Sequence, residues 1–173
     1  MKVLALCGSL RQHSRSLALL QASAILGESK IEFSIFSSLG HLPLFNPDLE
    51  HDIPAQVQAL WRAIDDADAI IIASPEYAHG ITGTIKNALD WLVGYMPFTG
   101  KPVAVFNPSH RAEHADAALK EILHTMNAQL IIEACLRIPV TACQLSAEEL
   151  ANTDPYRNLI STALNAIKIK LAH

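Results

Sequence analysis

Two short stretches hold the residue types that could do chemistry. The first is Gly8-Ser9-Leu10-Arg11-Gln12-His13-Ser14-Arg15-Ser16. Gly8 permits an abrupt turn. Ser9, Ser14 and Ser16 offer hydroxyls, and Arg11 can add a charge-assisted contact to a phosphate. A helix-periodic segment follows at once, so its unpaired N–H groups would face back onto the loop. The combination suits a phosphate ester. It equally suits a serine-capped helix after an ordinary turn. The spacing is neither Gly-x-Gly-x-x-Gly nor Gly-x-x-x-x-Gly-Lys-Ser/Thr, so the dinucleotide and nucleoside-triphosphate templates both fail.

The second stretch is Ser74-Pro75-Glu76-Tyr77-Ala78-His79-Gly80. Pro75 stiffens the chain. Tyr77 can lay its ring against a planar ligand, and Gly80 and Gly83 allow close backbone approach. His79 can donate a proton to a bound molecule; the plainer reading is a loop histidine facing solvent. Trp91 falls on an apolar helical face and reads as core. No nucleophile, general acid or general base is assigned. The eight histidines form no ligand pattern, and Cys7, Cys135 and Cys143 show no metal or disulfide spacing,. Each cysteine reads as a small buried hydrophobe, and no metal site is expected.

Alternating strand-like and helix-like segments must position these stretches. Strands are expected at residues 3–7, 30–36, 69–73, 102–106 and 129–132, with an extended segment at 135–140. Residues 69–73, Ala-Ile-Ile-Ile-Ala, are apolar without alternation and read as buried on both faces,. Helices are expected at 14–28, 54–67, 82–95, 112–126 and 154–171, and a loop at 39–52. Strands joined by helical crossovers imply a parallel sheet covered on both faces. Five strands favour a flavodoxin-like three-layer α/β sandwich of order 2-1-3-4-5. Ligands then sit beyond the carboxyl ends of strands one and three, where both stretches lie. The 173 residues, with no linker or repeat, are expected to form one domain spanning 1–173,.

Composition narrows the function classes. The net charge is -4, and no basic run of the kind that tracks phosphates occurs, so a nucleic-acid partner is not expected,. No apolar run approaches the ~18 residues a membrane span needs. The amino-terminal apolar run is too short for a signal peptide, and the free cysteines suit a reducing compartment, so the expected location is cytoplasmic.

Gly8-Ser9-Leu10-Arg11 with Ser14, joined to Pro75-Glu76-Tyr77 and to Gly83-x-x-Lys86-Asn87-Ala88-Leu89-Asp90-Trp91-Leu92, resembles the NADPH-dependent FMN reductase family. That family includes quinone, chromate and azo-dye reductases of flavodoxin-like fold. The resemblance runs to about Phe106, and Gly100-Lys101-Pro102-Val103-Ala104-Val105 also matches. It implies that Ser9, Arg11 and Ser14 hold the FMN phosphate, with Ser16 where many members have Asn. It implies that Pro75, Glu76, Tyr77, Ala78, His79 and Gly80 frame the isoalloxazine ring. Hydride would pass from NADPH or NADH to the flavin and on to a quinone, free flavin or similar small acceptor. Three departures stand out. Ala78 replaces a common Asn, Thr82 replaces a common Pro, and the loop Asn107-Pro108-Ser109-His110-Arg111-Ala112-Glu113 lacks glycine. Ser109 is the flavin contact assigned there. Arg111 and His110 are candidates for a 2′-phosphate, or simply a solvated pair.

Two other classes remain open: a flavodoxin-like electron carrier and a flavin-free interaction module. Net charge and Arg11 speak against the carrier; Ala78 and the glycine-free loop keep the module in view. Assembly has its own sequence signal. Ile85, Leu89, Leu92 and Met96 form one stripe; Ala88, Trp91 and Tyr95 form a second,. One stripe should face the sheet and the other a partner chain, with Trp91 or Tyr95 losing area on assembly; the plainer alternative is one broad stripe buried in a monomer. The resemblance likewise implies a homodimer or homotetramer.

Overall fold

The computed structural model describes residues 1–27, 29–138 and 145–172. Glu28, Cys143 and the end of the expected 135–140 segment lie outside them. The parallel sheet runs β2-β1-β3-β4-β5, formed by β1 (Lys2–Cys7), β2 (Glu32–Ile35), β3 (Ala69–Ala73), β4 (Pro102–Asn107) and β5 (Gln129–Leu130). The expected order is therefore observed. A sixth strand, β6 (Leu136–Arg137), also pairs with β4, so the count of five is corrected. A 3-10 turn at Ile132–Ala134 separates β5 from β6 and interrupts the fifth strand position. At that break the Val105 N–H donates to Cys135 Sγ at 3.3 Å, and the thiol stands in for the missing ladder carbonyl,.

Alternation in β1 divides the core into two layers. Val3, Ala5 and Cys7 face one cluster with Leu19, Leu20, Ile160 and Ile167. Leu4 and Leu6 face the other with Leu60, Ile64, Ile85 and Leu89. The first layer is covered by α1 (Arg15–Gly27) and α6 (Tyr156–Leu171). The second is covered by α2 (Ala55–Asp66), α3 (Gly83–Asp90) and α4 (Glu113–Thr125). All five β3 residues are buried, as its unbroken apolar run requires,. An unexpected helix, α5 (Ala147–Asn152), packs against α1. Its capping box, Ser146 with Glu149, was visible as Ser-x-x-Glu,.

The helix expected over 82–95 stops at Asp90. Thr82 caps it, its hydroxyl accepting from the Ile85 N–H at 3.3 Å. Beyond Asp90 the chain turns, which lets both apolar stripes pack within one chain. Trp91 is 2% exposed and donates its indole N–H to Pro43 O at 2.8 Å. Phe45 packs edge-on against it at 5.1 Å. Tyr95 stacks on Trp61 at 4.3 Å and donates to Asp65 Oδ2 at 2.6 Å. The second stripe is thus not a spare face, and Trp91 has almost no area to lose to a partner. The 39–52 loop contains two 3-10 turns, Leu39–His41 and Pro47–His51. Asn87 brackets its middle, accepting from the Phe45 N–H at 2.8 Å and donating to Pro43 O at 3.0 Å.

Residues 77–80 form a two-residue turn closed by reciprocal Tyr77 and Gly80 backbone bonds of 3.1 and 2.9 Å. Its central residues, Ala78 at φ 49° and His79 at φ 60°, are both left-handed. That turn type favours Asn-Gly, and a Cβ in this region costs about 1–2 kcal/mol. Ala78→Gly is expected to raise stability by about 1 kcal/mol, seen as a higher urea midpoint with an unchanged slope.

Asp116, in the first turn of α4, is a buried carboxylate. Its Oδ2 receives Lys120 Nζ at 2.8 Å and Arg137 at 2.7 Å, joining α4 to β6. Burial pushes its pKa up, but the Lys120 and Arg137 hydrogen bonds outweigh that and hold it below the usual carboxylate range,. A native pKa below the unfolded one gives stability that is full above about pH 4 and is lost as pH falls from there through the lowered native pKa,. Asp116→Asn should cost about 1–3 kcal/mol at pH 7. The gap from the unmodified protein should narrow in unfolding curves taken below pH 4.

Candidate functional site

The sheet topology sets where a site can form. β1 and β4 flank β3, so the loops leaving their carboxyl ends stand side by side,. Those loops enclose a cavity of about 330 Å³. The β1 loop supplies Ser9, Arg11, Ser14, Arg15 and Ser16 to its wall. The β3 loop supplies Pro75, Glu76 and Tyr77, and the β4 loop supplies Pro108, Ser109, Arg111 and Ala112. A second depression, sharing Arg11 and Tyr77, continues past Gly8, Leu10 and the start of α3.

Gly8 brings the first two loops together. Its N–H donates to Ala73 O at 2.8 Å. A Cβ at Gly8 would lie 2.7 Å from Ile85 Cγ1 and closer still to Ser74 Oγ. Real side-chain carbons do not approach so near, so the position demands glycine. The chain then rises over Ser9, whose hydroxyl accepts from the Arg11 N–H at 3.4 Å. Ser14 caps α1, accepting from the Leu17 N–H at 3.2 Å,. The N–H groups of Arg15 and Ser16 stay in the unpaired first turn of α1. Ser16 is 1% exposed, and its Oγ has no hydrogen-bond partner among the described residues. A buried hydroxyl without a partner costs about 1–3 kcal/mol. Here it faces a wall that also carries Arg11 and a helix amino terminus. Cys7 lies beneath this loop, its thiol donating to Ser9 O at 3.5 Å; burial pushes its pKa up, keeping it a thiol.

Glu76 links the other two walls. Its Oε2 accepts from the Ala115 N–H at 2.8 Å, and so caps α4, whose own flanking residue Ala112 offers no side-chain cap. The β4 loop is held by Asn107 in place of glycine. Asn107 Oδ1 accepts from the Ser109 N–H at 3.0 Å, and its Nδ2 donates to Ala112 O at 2.9 Å.

Eight sequence-predicted site residues therefore share one cavity wall: Ser9, Arg11, Ser14, Ser16, Pro75, Glu76, Tyr77 and Ser109. Ala78, His79 and Gly80 are outside that wall, in the turn beyond Tyr77. His79 packs against His114 at 4.4 Å, with Nδ1 3.9 Å from Glu76 Oε1. Arg15, Pro108 and Ala112 line the cavity without having been assigned a contact. Arg15 carried a usable signal, being a second cation in the first turn of a helix. His110 does not line the cavity, whereas Arg111 does.

This arrangement suits a phosphorylated, planar ligand: a polar, cationic end at α1 and an exposed tyrosine ring beside the β3 loop. Comparison with known proteins agrees. The chain is 38% identical over 112 residues to a 2-hydroxy-1,4-benzoquinone reductase from Burkholderia sp., covering 63% of this chain and 61% of that protein. It is 29% identical over 174 residues to an NAD(P)H-dependent FMN reductase from Pseudomonas aeruginosa, covering 97% and 94%. The chain spans about three-fifths of the first curated relatives it matches. Among solved structures it superposes on FerB, a flavoenzyme NAD(P)H:(acceptor) oxidoreductase from Paracoccus denitrificans. The TM-score is 0.75, with 29% identity over 96% of this chain and 95% of that one. An archaeal flavodoxin, at 17% identity and TM-score 0.65, shares the fold. The model of the NADPH-dependent FMN reductase family matches residues 1–139, and the chain belongs to that family.

Proposed function

We propose that the chain is an FMN-dependent NAD(P)H oxidoreductase that reduces a quinone, a free flavin or a similar small acceptor. One observation carries the cofactor: the buried, unpartnered Ser16 hydroxyl on a wall shared with Arg11 and the first turn of α1. Ser9, Arg11, Ser14 and Ser16 would hold the phosphate. When bound, FMN supplies the redox chemistry, taking hydride from NADPH or NADH and passing electrons to the acceptor. The chain's own work is positioning. Pro75, Glu76 and Tyr77 would border the ring, and Ser109 would offer a polar contact from the opposite loop. Ala78, His79 and Gly80 would act by holding the Tyr77 turn in place. We assign no catalytic side chain.

The chain would act as one domain, in the cytoplasm. Among the described residues no helix is long and apolar enough to cross a membrane, and no group of three or more ligating side chains could hold a metal. We also propose a homodimer or homotetramer, supported by family membership and by two large apolar side chains just beyond α3. Val93 is 67% exposed and Met96 76%,.

If Arg11 pairs with the phosphate, FMN should bind far more tightly than riboflavin in fluorescence quenching. Arg11→Ala should cost about 2–4 kcal/mol of FMN binding. Equal affinities would sink the phosphate assignment. A loaded protein that neither NADPH nor NADH bleaches anaerobically would instead favour the electron-carrier reading.

Sedimentation velocity at micromolar concentration should show at least two chains per particle, and Met96→Glu should shift the population toward single chains. A monomer in the unmodified protein would refute the assembly.

A further inference from the structure

Three arginines, Arg11, Arg15 and Arg111, line the cavity. None makes an ion pair among the described residues. Among the described residues the one carboxylate on the same wall is Glu76, whose Oε2 accepts from the Ala115 N–H. Arg15 opens α1 and Arg11 lies in the loop before it, so both stand near an amino terminus of the kind that attracts a phosphate,. Arg111 is elsewhere. It follows β4, and β3 lies between β4 and β1 in the sheet. Two strand spacings separate the carboxyl ends of β1 and β4 by about 10 Å. A phosphate seated at the α1 amino terminus lies on the β1 side of the cavity, and Arg111 enters from the β4 side.

The backbone around Arg111 is fixed in advance. Its N–H donates to Ser109 Oγ at 3.2 Å. The buried Asn107 ties residues 109 and 112 on either side of it. Arg137 of β6, bonded to Asp116, holds the first turn of the following helix. A cation on so well anchored a loop, with no ion pair among the described residues, is prepared for an anion that arrives from outside,.

We propose that Arg111 is a specificity residue that takes a phosphate of the incoming nicotinamide dinucleotide. The inference rests on the flavin-reductase reading above. The shared chemistry is a phosphate ester, and the dinucleotide carries it in two places, the pyrophosphate and, in NADPH, the 2′-phosphate.

The test uses FMN-loaded protein with three hydride donors: NADPH, NADH and the uncharged 1-benzyl-1,4-dihydronicotinamide. In Arg111→Gln the ratio of dinucleotide to uncharged-donor kcat/KM should fall at least about tenfold. Arg111→Lys should recover part of it. A loss confined to NADPH assigns the 2′-phosphate; an equal loss for NADPH and NADH assigns the pyrophosphate. Binding of the unreactive oxidised dinucleotides, followed by perturbation of the flavin spectrum, should weaken in the same proportion. An unchanged ratio, or an equal loss with the uncharged donor, overturns the proposal. Flavin bleached by the uncharged donor but by neither dinucleotide overturns it while leaving the flavin reading intact. A protein that binds no FMN overturns both.

Discussion

Gly8 sits where the exit of β1 passes against Ser74 and Ile85 with no room for a side-chain carbon. Its N–H bond to Ala73 carries the β1–β3 pairing one residue beyond the strands themselves. Because the two strands stay paired to their ends, the loops that follow start from a common rigid edge. α1 is then launched with its amino terminus over the gap between them. A methyl group at this point would push the serine-rich loop away from β3, and the cavity walls would lose their register. The rest of the site, including the orphaned Ser16 hydroxyl, depends on that approach.

The long motif following the tyrosine turn works mainly as scaffolding. Asn87 and Trp91 both fasten Pro43, and Lys86 pairs with Asp90 one helical turn away,. Among the described residues lining the cavity, none comes from 86–92. Glu76 likewise plays two parts, facing the cavity while capping a helix that belongs to the next loop. Residues that look like a ligand signature therefore include several that shape the frame around the ligand. This explains how a flavin-type cavity can coexist with a β4 loop that has no glycine. Asn107 supplies by side-chain hydrogen bonds the tight path that small residues would otherwise provide.

Legibility followed the range of the interactions. β3 was read to the residue, because burial on both faces leaves an unbroken apolar run. The α1 start was displaced by one residue, since a capping serine is a local signal. The length of α3 was overread because its apolar period continues through Trp91 and Tyr95. What ends the helix there is packing against Pro43, Phe45, Trp61 and Asp65, partners 30 to 48 residues away. The same distance hid the bracket made by Asn87. The last strand was legible as two extended pieces, 129–132 and 135–140; what the sequence hid was that the second piece also pairs with β4, beside the contact of Cys135 with Val105 across the sheet. In the site, hydroxyls and Arg11 could be named from type and spacing, whereas the gathering of three arginines required the topology.

That sulfur contact makes Cys135 a clock for motion at the sheet edge. While Val105 donates to it, the thiol is occupied, and burial keeps it from ionising to the form that reacts,. Alkylation is therefore slowed while that bond is in place and quickens when the two short edge strands lift from β4. The rate of Cys135 labelling thus rises with that opening, and it reports on the strand that leads into the Arg137 anchor of the cavity wall.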